Sequence, residues 1–241
     1  MKKKVAIISN ICIAVVLVGL GVAVFTTDLS NVFLSVSAPV YNGDRNGDQV
    51  SLMFVVEDDA RFLPEILELL EERDTPATFF VGGKWASSNR AALLSIASND
   101  KFELGNHAYN NRSLARLNES AQRKEIQNNH SLVKAITSGT QLNTEEGNEI
   151  REGVCMKLFL PPNGSFNKTT LKVAERLDYR TVMWSRDATT GSIFDKAVDG
   201  IRSGDLVLLR PSLATFASLI GILTEYGRKG FDVVKVSENI S

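Results

Sequence analysis

Few side chains in this 241-residue chain could hold a metal ion or shuttle a proton, and their spacing favours neither. Only two histidines occur, His107 and His130. Catalytic zinc takes three protein ligands and keeps one position open, so histidines alone cannot build such a site. Glu57-Asp58-Asp59 is an acidic cluster that reads as a solvated loop. His130 falls in a predicted helix and reads as a surface residue. Of the two cysteines, Cys12 lies in an apolar N-terminal run, which leaves Cys155 alone in the remainder. No disulfide can form there, and Cys155 is expected to be buried.

The elements that must position these residues follow from the hydrophobic pattern. Lys2, Lys3 and Lys4 form a basic tail before an apolar run over residues 5–25, interrupted at Ser9 and Asn10. About 20 apolar residues cross a bilayer as a helix, and the positive flank stays inside. A single-pass anchor with its C-terminal domain outside the cytoplasm is expected. The alternative is a signal peptide cleaved near Gly21-Val22-Ala23, giving a secreted protein. Residues 26–48 read as a juxtamembrane spacer ending in turn formers.

From residue 49 to 241, buried-strand runs alternate with helical periodicity. Strands are expected at Ser51–Val56, Ala77–Val81, Phe102–Leu104, Lys157–Leu160, Arg180–Trp184, Leu206–Leu209 and Asp232–Val236. Helices are expected through Leu63–Leu70, Arg90–Ala97, Glu119–Thr137, Thr169–Leu177 and Leu213–Tyr226, with a polar surface excursion over Ser138–Glu152. This alternation specifies a parallel α/β domain, open or barrel-shaped. Ligands of such folds sit beyond the carboxyl ends of the strands. A net charge of −1 argues against a nucleic-acid partner.

The segments after those strands resemble, in order, the five motifs of the NodB-homology polysaccharide deacetylases. They are Leu52-Met-Phe54 with Phe62-Leu-Pro64 and Ala77-Thr-Phe-Phe-Val-Gly82; Gly105-Asn106-His107; Leu160-Pro161-Pro162-Asn163-Gly164; Trp184-Ser185-Arg186-Asp187; and Gly204-Asp205 through Leu209. The resemblance implies a distorted parallel (β/α) barrel with a groove at its top. It also implies metal-assisted removal of acetyl groups from N-acetylated sugars, with a divalent ion held by one Asp and two His. An Asp would act as base and a His as acid.

Carried over residue by residue, that machinery is missing. The base and the aspartate ligand fall on Val55 and Val56, and the second histidine ligand on Asn111; His107 alone is retained. Leu160 replaces the arginine that orients the base. Arg210 replaces the acid and cannot release a proton near neutrality. Losing acid and base would cost roughly 10⁴–10⁸ in rate if each contributes ~10²–10⁴. Arg210 could pair with Asp187 or an acidic ligand, or simply face solvent, and His107 could hydrogen-bond the backbone. His107, Tyr109, Asn111, Asn163, Asp187 and Arg210 are the groove candidates, while Trp184 reads first as core.

A non-catalytic, membrane-anchored module is therefore expected, without a cofactor, binding cell-wall glycan (peptidoglycan or chitin-like) or an extracytoplasmic protein. The alternative is an active N-deacetylase with zinc in an unorthodox site built from His107 and the Glu57–Asp59 cluster. A pure protein-interaction scaffold is the third reading.

Overall fold

Strands form where the sequence turns continuously apolar. In β1 (Gln49–Val56) every residue from Val50 onward is buried, and so is all of β2 (Ala77–Val81). Runs without polar alternation belong to strands covered on both faces. The computed structural model describes residues 38–58, 60–138, 141–144, 147–150 and 153–241. The predicted anchor over 5–25, Cys12 and Asp59 lie outside them. Among the described residues, no helix is long and apolar enough to cross a membrane.

After β1 the chain forms α1 (Leu63–Glu72), β2, α2 (Gly83–Ser88), α3 (Arg90–Ser98), β3 (Phe102–Asn106) and α4 (Glu119–Thr137). A hairpin, β4 (Gln141–Thr144) with β5 (Gly147–Ile150), occupies the polar excursion. Then come β6 (Leu158–Phe159), α5 (Lys168–Arg176), β7 (Arg180–Thr181), β8 (Arg186–Asp187), α6 (Ile193–Val198), β9 (Leu206–Leu209), α7 (Leu213–Lys229), β10 (Asp232–Val233) and α8 (Val236–Asn239).

The main sheet is parallel, in the order β7-β6-β3-β2-β1-β9-β8, with β10 beside the start of β1. It curls into the expected parallel (β/α) barrel, left open between β7 and β8. Side chains of β1 alternate between two cores. Leu52, Phe54 and Val56 pack under the surrounding helices, whereas Met53 and Val55 fill the interior with Leu158, Leu160, Leu206 and Leu208.

Residues 40–45, assigned from sequence to the spacer, stitch the open side of the barrel. Val40 N donates to Thr181 O, Met183 N donates to Val40 O, and Gly43 N donates to Gly204 O. Arg45 Nη1 donates to Asp205 Oδ1 at 2.7 Å and Ser203 O at 2.8 Å. Met183 thus bonds this segment, and the strand expected through Trp184 ends at Thr181. The last expected strand stops at Val233, because Lys235 and Glu238 form a capping box that starts α8.

Candidate functional site

The site forms where β1, β3, β6 and β9 end. Strand alternation carries one step past β1, so Glu57 follows Met53 and Val55 toward the barrel interior and is only 7% exposed. The solvated acidic loop expected here is therefore corrected at Glu57, while Asp58 is exposed. Val56 turns the other way, into the outer core.

Arg210 follows β9, whose Leu209 lies opposite Phe54 of β1. This register lets Arg210 Nη1 donate to Glu57 Oε1 at 2.6 Å, with Arg210 itself 44% exposed. Pairing with Asp187 does not occur; Glu57 takes the guanidinium instead. The second oxygen, Oε2, is buried without a hydrogen bond among the described residues, and His107 Nε2 stands 3.6 Å away, within ion-pair range only. Burial pushes the Glu57 pKa up, but attraction to His107 and then Arg210 outweighs it, leaving the pKa below the ordinary glutamate value.

His107 Nδ1 lies 2.8 Å from Leu160 O. A carbonyl only accepts, so Nδ1 carries a proton and Nε2 is the edge turned to Glu57. The backbone beside it is strained: Ala108 has φ 60°. Asn106 holds that turn. Its Oδ1 accepts from Ala108 N and Asn129 Nδ2, and its Nδ2 donates to Ile126 O and Tyr179 Oη. Gly105 is required here because a Cβ would overlap the Phe80 ring.

His130 belongs to this support rather than to the surface. It is half-buried on α4, with Nδ1 against Tyr179 Oη. Burial, then Lys134 and Lys157, lowers its pKa, which suits a neutral ring accepting from the phenol. Burial chiefly pushes Tyr179 up to about 12, so the phenol keeps its proton. Cys155, expected inside, is exposed.

A cleft of about 180 Å³ opens above Val55, Leu160 and Leu208. His107, Asn163, Trp184, Asp187 and Arg210 also line it. Trp184 is half-buried and packs against the inner core as well as facing the cleft. Asn163 takes a left-handed turn (φ 55°) and donates through Nδ2 to Asn111 Oδ1 at 2.9 Å. Asn111 is exposed and ties two loops together outside the cleft lining. Tyr109 is also outside that lining; its ring lies against Gly83, where a Cβ would come within 2.5 Å of Tyr109 Cδ2. Asp187 Oδ1 accepts from Thr189 N at 3.0 Å and Thr189 Oγ1 at 2.6 Å.

Residues 42–182 match the family model for polysaccharide deacetylase. The chain belongs to the polysaccharide deacetylase family. Among its deacetylase relatives is a peptidoglycan-N-acetylglucosamine deacetylase of Bacillus cereus, 30% identical over 201 residues that cover 78% of this chain and 86% of that protein. The YlxY protein of Bacillus subtilis is 27% identical over 206 residues, 83% of this chain. The match spans 60% of YlxY's length. The crystal structure of BA3943, a CE4 family pseudoenzyme from Bacillus anthracis, superposes with TM-score 0.73 and 27% identity, covering 85% of this chain and 69% of that one. A BA3943 mutant with restored enzymatic activity superposes with TM-score 0.74 and 26% identity over 85% of this chain and 71% of that one.

The metal that the deacetylase fold implies can be tested against these side chains. Among the described residues, no group of three or more His, Cys, Asp or Glu side chains converges. Glu57, the carboxylate facing His107, is already held by Arg210. Among the described residues, one imidazole and one engaged carboxylate do not make a donor set that fits catalytic zinc.

Proposed function

We propose that this chain is a catalytically silent deacetylase-type domain that binds cell-wall glycan in its cleft, outside a membrane to which residues 5–25 anchor it. Val55 and Val56 at the family's base and aspartate-ligand positions, with Glu57 engaged by Arg210 beside them, carry this reading. The family's acid and base positions and two of its three ligand positions hold Arg210, Val55, Val56 and Asn111, which are unsuited to that work, and His107 alone is retained. The cleft nevertheless has Trp184 and the Asn163 amide in its lining, an aromatic face and a hydrogen-bonding group that suit a sugar face and its hydroxyls. The likeness to a named pseudoenzyme and to peptidoglycan deacetylases supports the same reading. The basic tail before an apolar run supports the anchor.

A second reading, an active deacetylase, draws on Glu57 Oε2. This buried carboxylate oxygen has no hydrogen bond among the described residues and faces His107 Nε2 at 3.6 Å. Metal analysis of the dialysed protein, with an acetate-release assay on peptidoglycan and chito-oligomers, separates the two. Silence predicts no stoichiometric zinc and no acetate, together with retention on insoluble peptidoglycan or chitin. Tightly held zinc with acetate release lost in His107→Ala would overturn it.

A further inference from the structure

The charges around the cleft are unevenly paired, and their placement names a ligand class. Both cationic candidates, Arg210 and the His107 ring, face the same carboxylate, Glu57, at 2.6 Å and 3.6 Å. Glu57 is buried behind them, so the guanidinium arrives in the cleft already neutralised. Asp187 is then left without a cation among the described residues. Its Oδ1 is held by Thr189, and its neighbour Arg186 turns away: Nε donates to Lys196 O at 2.9 Å, and Nη1 lies 3.9 Å from Asp205. Asp187 is exposed at the cleft wall. Beside it stand Trp184 and Asn163 over an apolar floor formed by Val55, Leu160 and Leu208.

We propose that the cleft binds amino sugars whose nitrogen is free, in preference to N-acetylated ones, with Asp187 as the counter-charge for the ammonium group. This rests on the glycan-binding reading and refines its ligand. A protonated amine offers three donors and a positive charge to the unneutralised carboxylate. An acetamido group offers neither charge nor a fit to an acceptor-only partner beyond one N–H. An anionic sugar is repelled by Asp187 and finds Arg210 engaged. The chain would thus recognise the product that active deacetylases make, which gives a use to a site that has lost its own chemistry.

Titration calorimetry on the full chain tests this, using a fully deacetylated glucosamine oligomer and its N-acetylated counterpart of equal length in mildly acidic buffer. The free-amine oligomer is expected to bind about two- to fivefold tighter, the range of one exposed ion pair. Added salt should shrink the difference. Asp187→Asn keeps Oδ1 for Thr189 and removes the charge, so the preference should vanish with the fold intact by circular dichroism. Equal or tighter binding of the acetylated oligomer overturns the proposal and leaves glycan binding standing. A preference that survives in Asp187→Asn overturns the role of Asp187. Binding of neither oligomer removes the glycan reading together with it.

Discussion

Glu57 and Arg210 hold each other across the ends of two adjacent strands, with Oε1 accepting from Nη1 at 2.6 Å across a separation of 153 residues. The pair is asymmetric: the carboxylate is 7% exposed and the guanidinium 44%. Removing Arg210 therefore strands a buried charge, whereas removing both partners strands none. Arg210→Met is expected to cost ~1–3 kcal/mol, less than a fully buried pair because water still reaches the guanidinium. The double variant Glu57→Gln/Arg210→Met should recover most of that loss. A double-mutant cycle by urea denaturation checks it; strictly additive effects would show that the two do not interact.

Tyr179 Oη is the junction between α4 and the turn that carries His107, accepting from Asn106 Nδ2 at 2.9 Å and donating to His130. Tyr179→Phe deletes both bonds and leaves His130 Nδ1 half-buried without its donor. A loss of ~1–3 kcal/mol is expected, with faster amide exchange at His107 and Ala108. Exchange unchanged at those two residues would show that Asn106 holds the strained turn unaided.

Asp205 anchors the segment that closes the barrel. Burial raises its pKa, but hydrogen bonds from Arg45, the Arg202 amide and Ser185 outweigh that and leave it below the ordinary 3.8. A depressed carboxylate stabilises the fold above its unfolded-state pKa, and the contribution disappears as pH falls through the folded value. Wild type should therefore exceed Asp205→Asn in stability near neutrality, with the gap closing below pH 3.8. Thermal melts across that range test the sign. A gap that widens on acidification would place the stabilisation elsewhere.

Much of the architecture was legible residue by residue. β1 and β2 are continuous apolar runs, α4 begins at an Asn118 cap and ends at Thr137 as its periodicity predicts, and the quoted motif segments lie on or beside successive strands in order. The short elements were not legible. β8 and α6 have two and six residues, too few for a period to register, and β7 yields to a backbone partner at Val40.

By itself, the sequence settled that aliphatic side chains occupy positions 55 and 56, since residue type is local information, and that the chain alternates strand and helix. Tertiary structure alone decided which way Glu57 points, that Arg210 meets it rather than Asp187, that Tyr109 packs on Gly83, and that His130 supports the site from within. Each depends on neighbours brought together by parallel pairing of distant strands. That register sets side-chain direction, burial and charge neutralisation at once, and none of the three can be read from a residue's own neighbourhood in the chain.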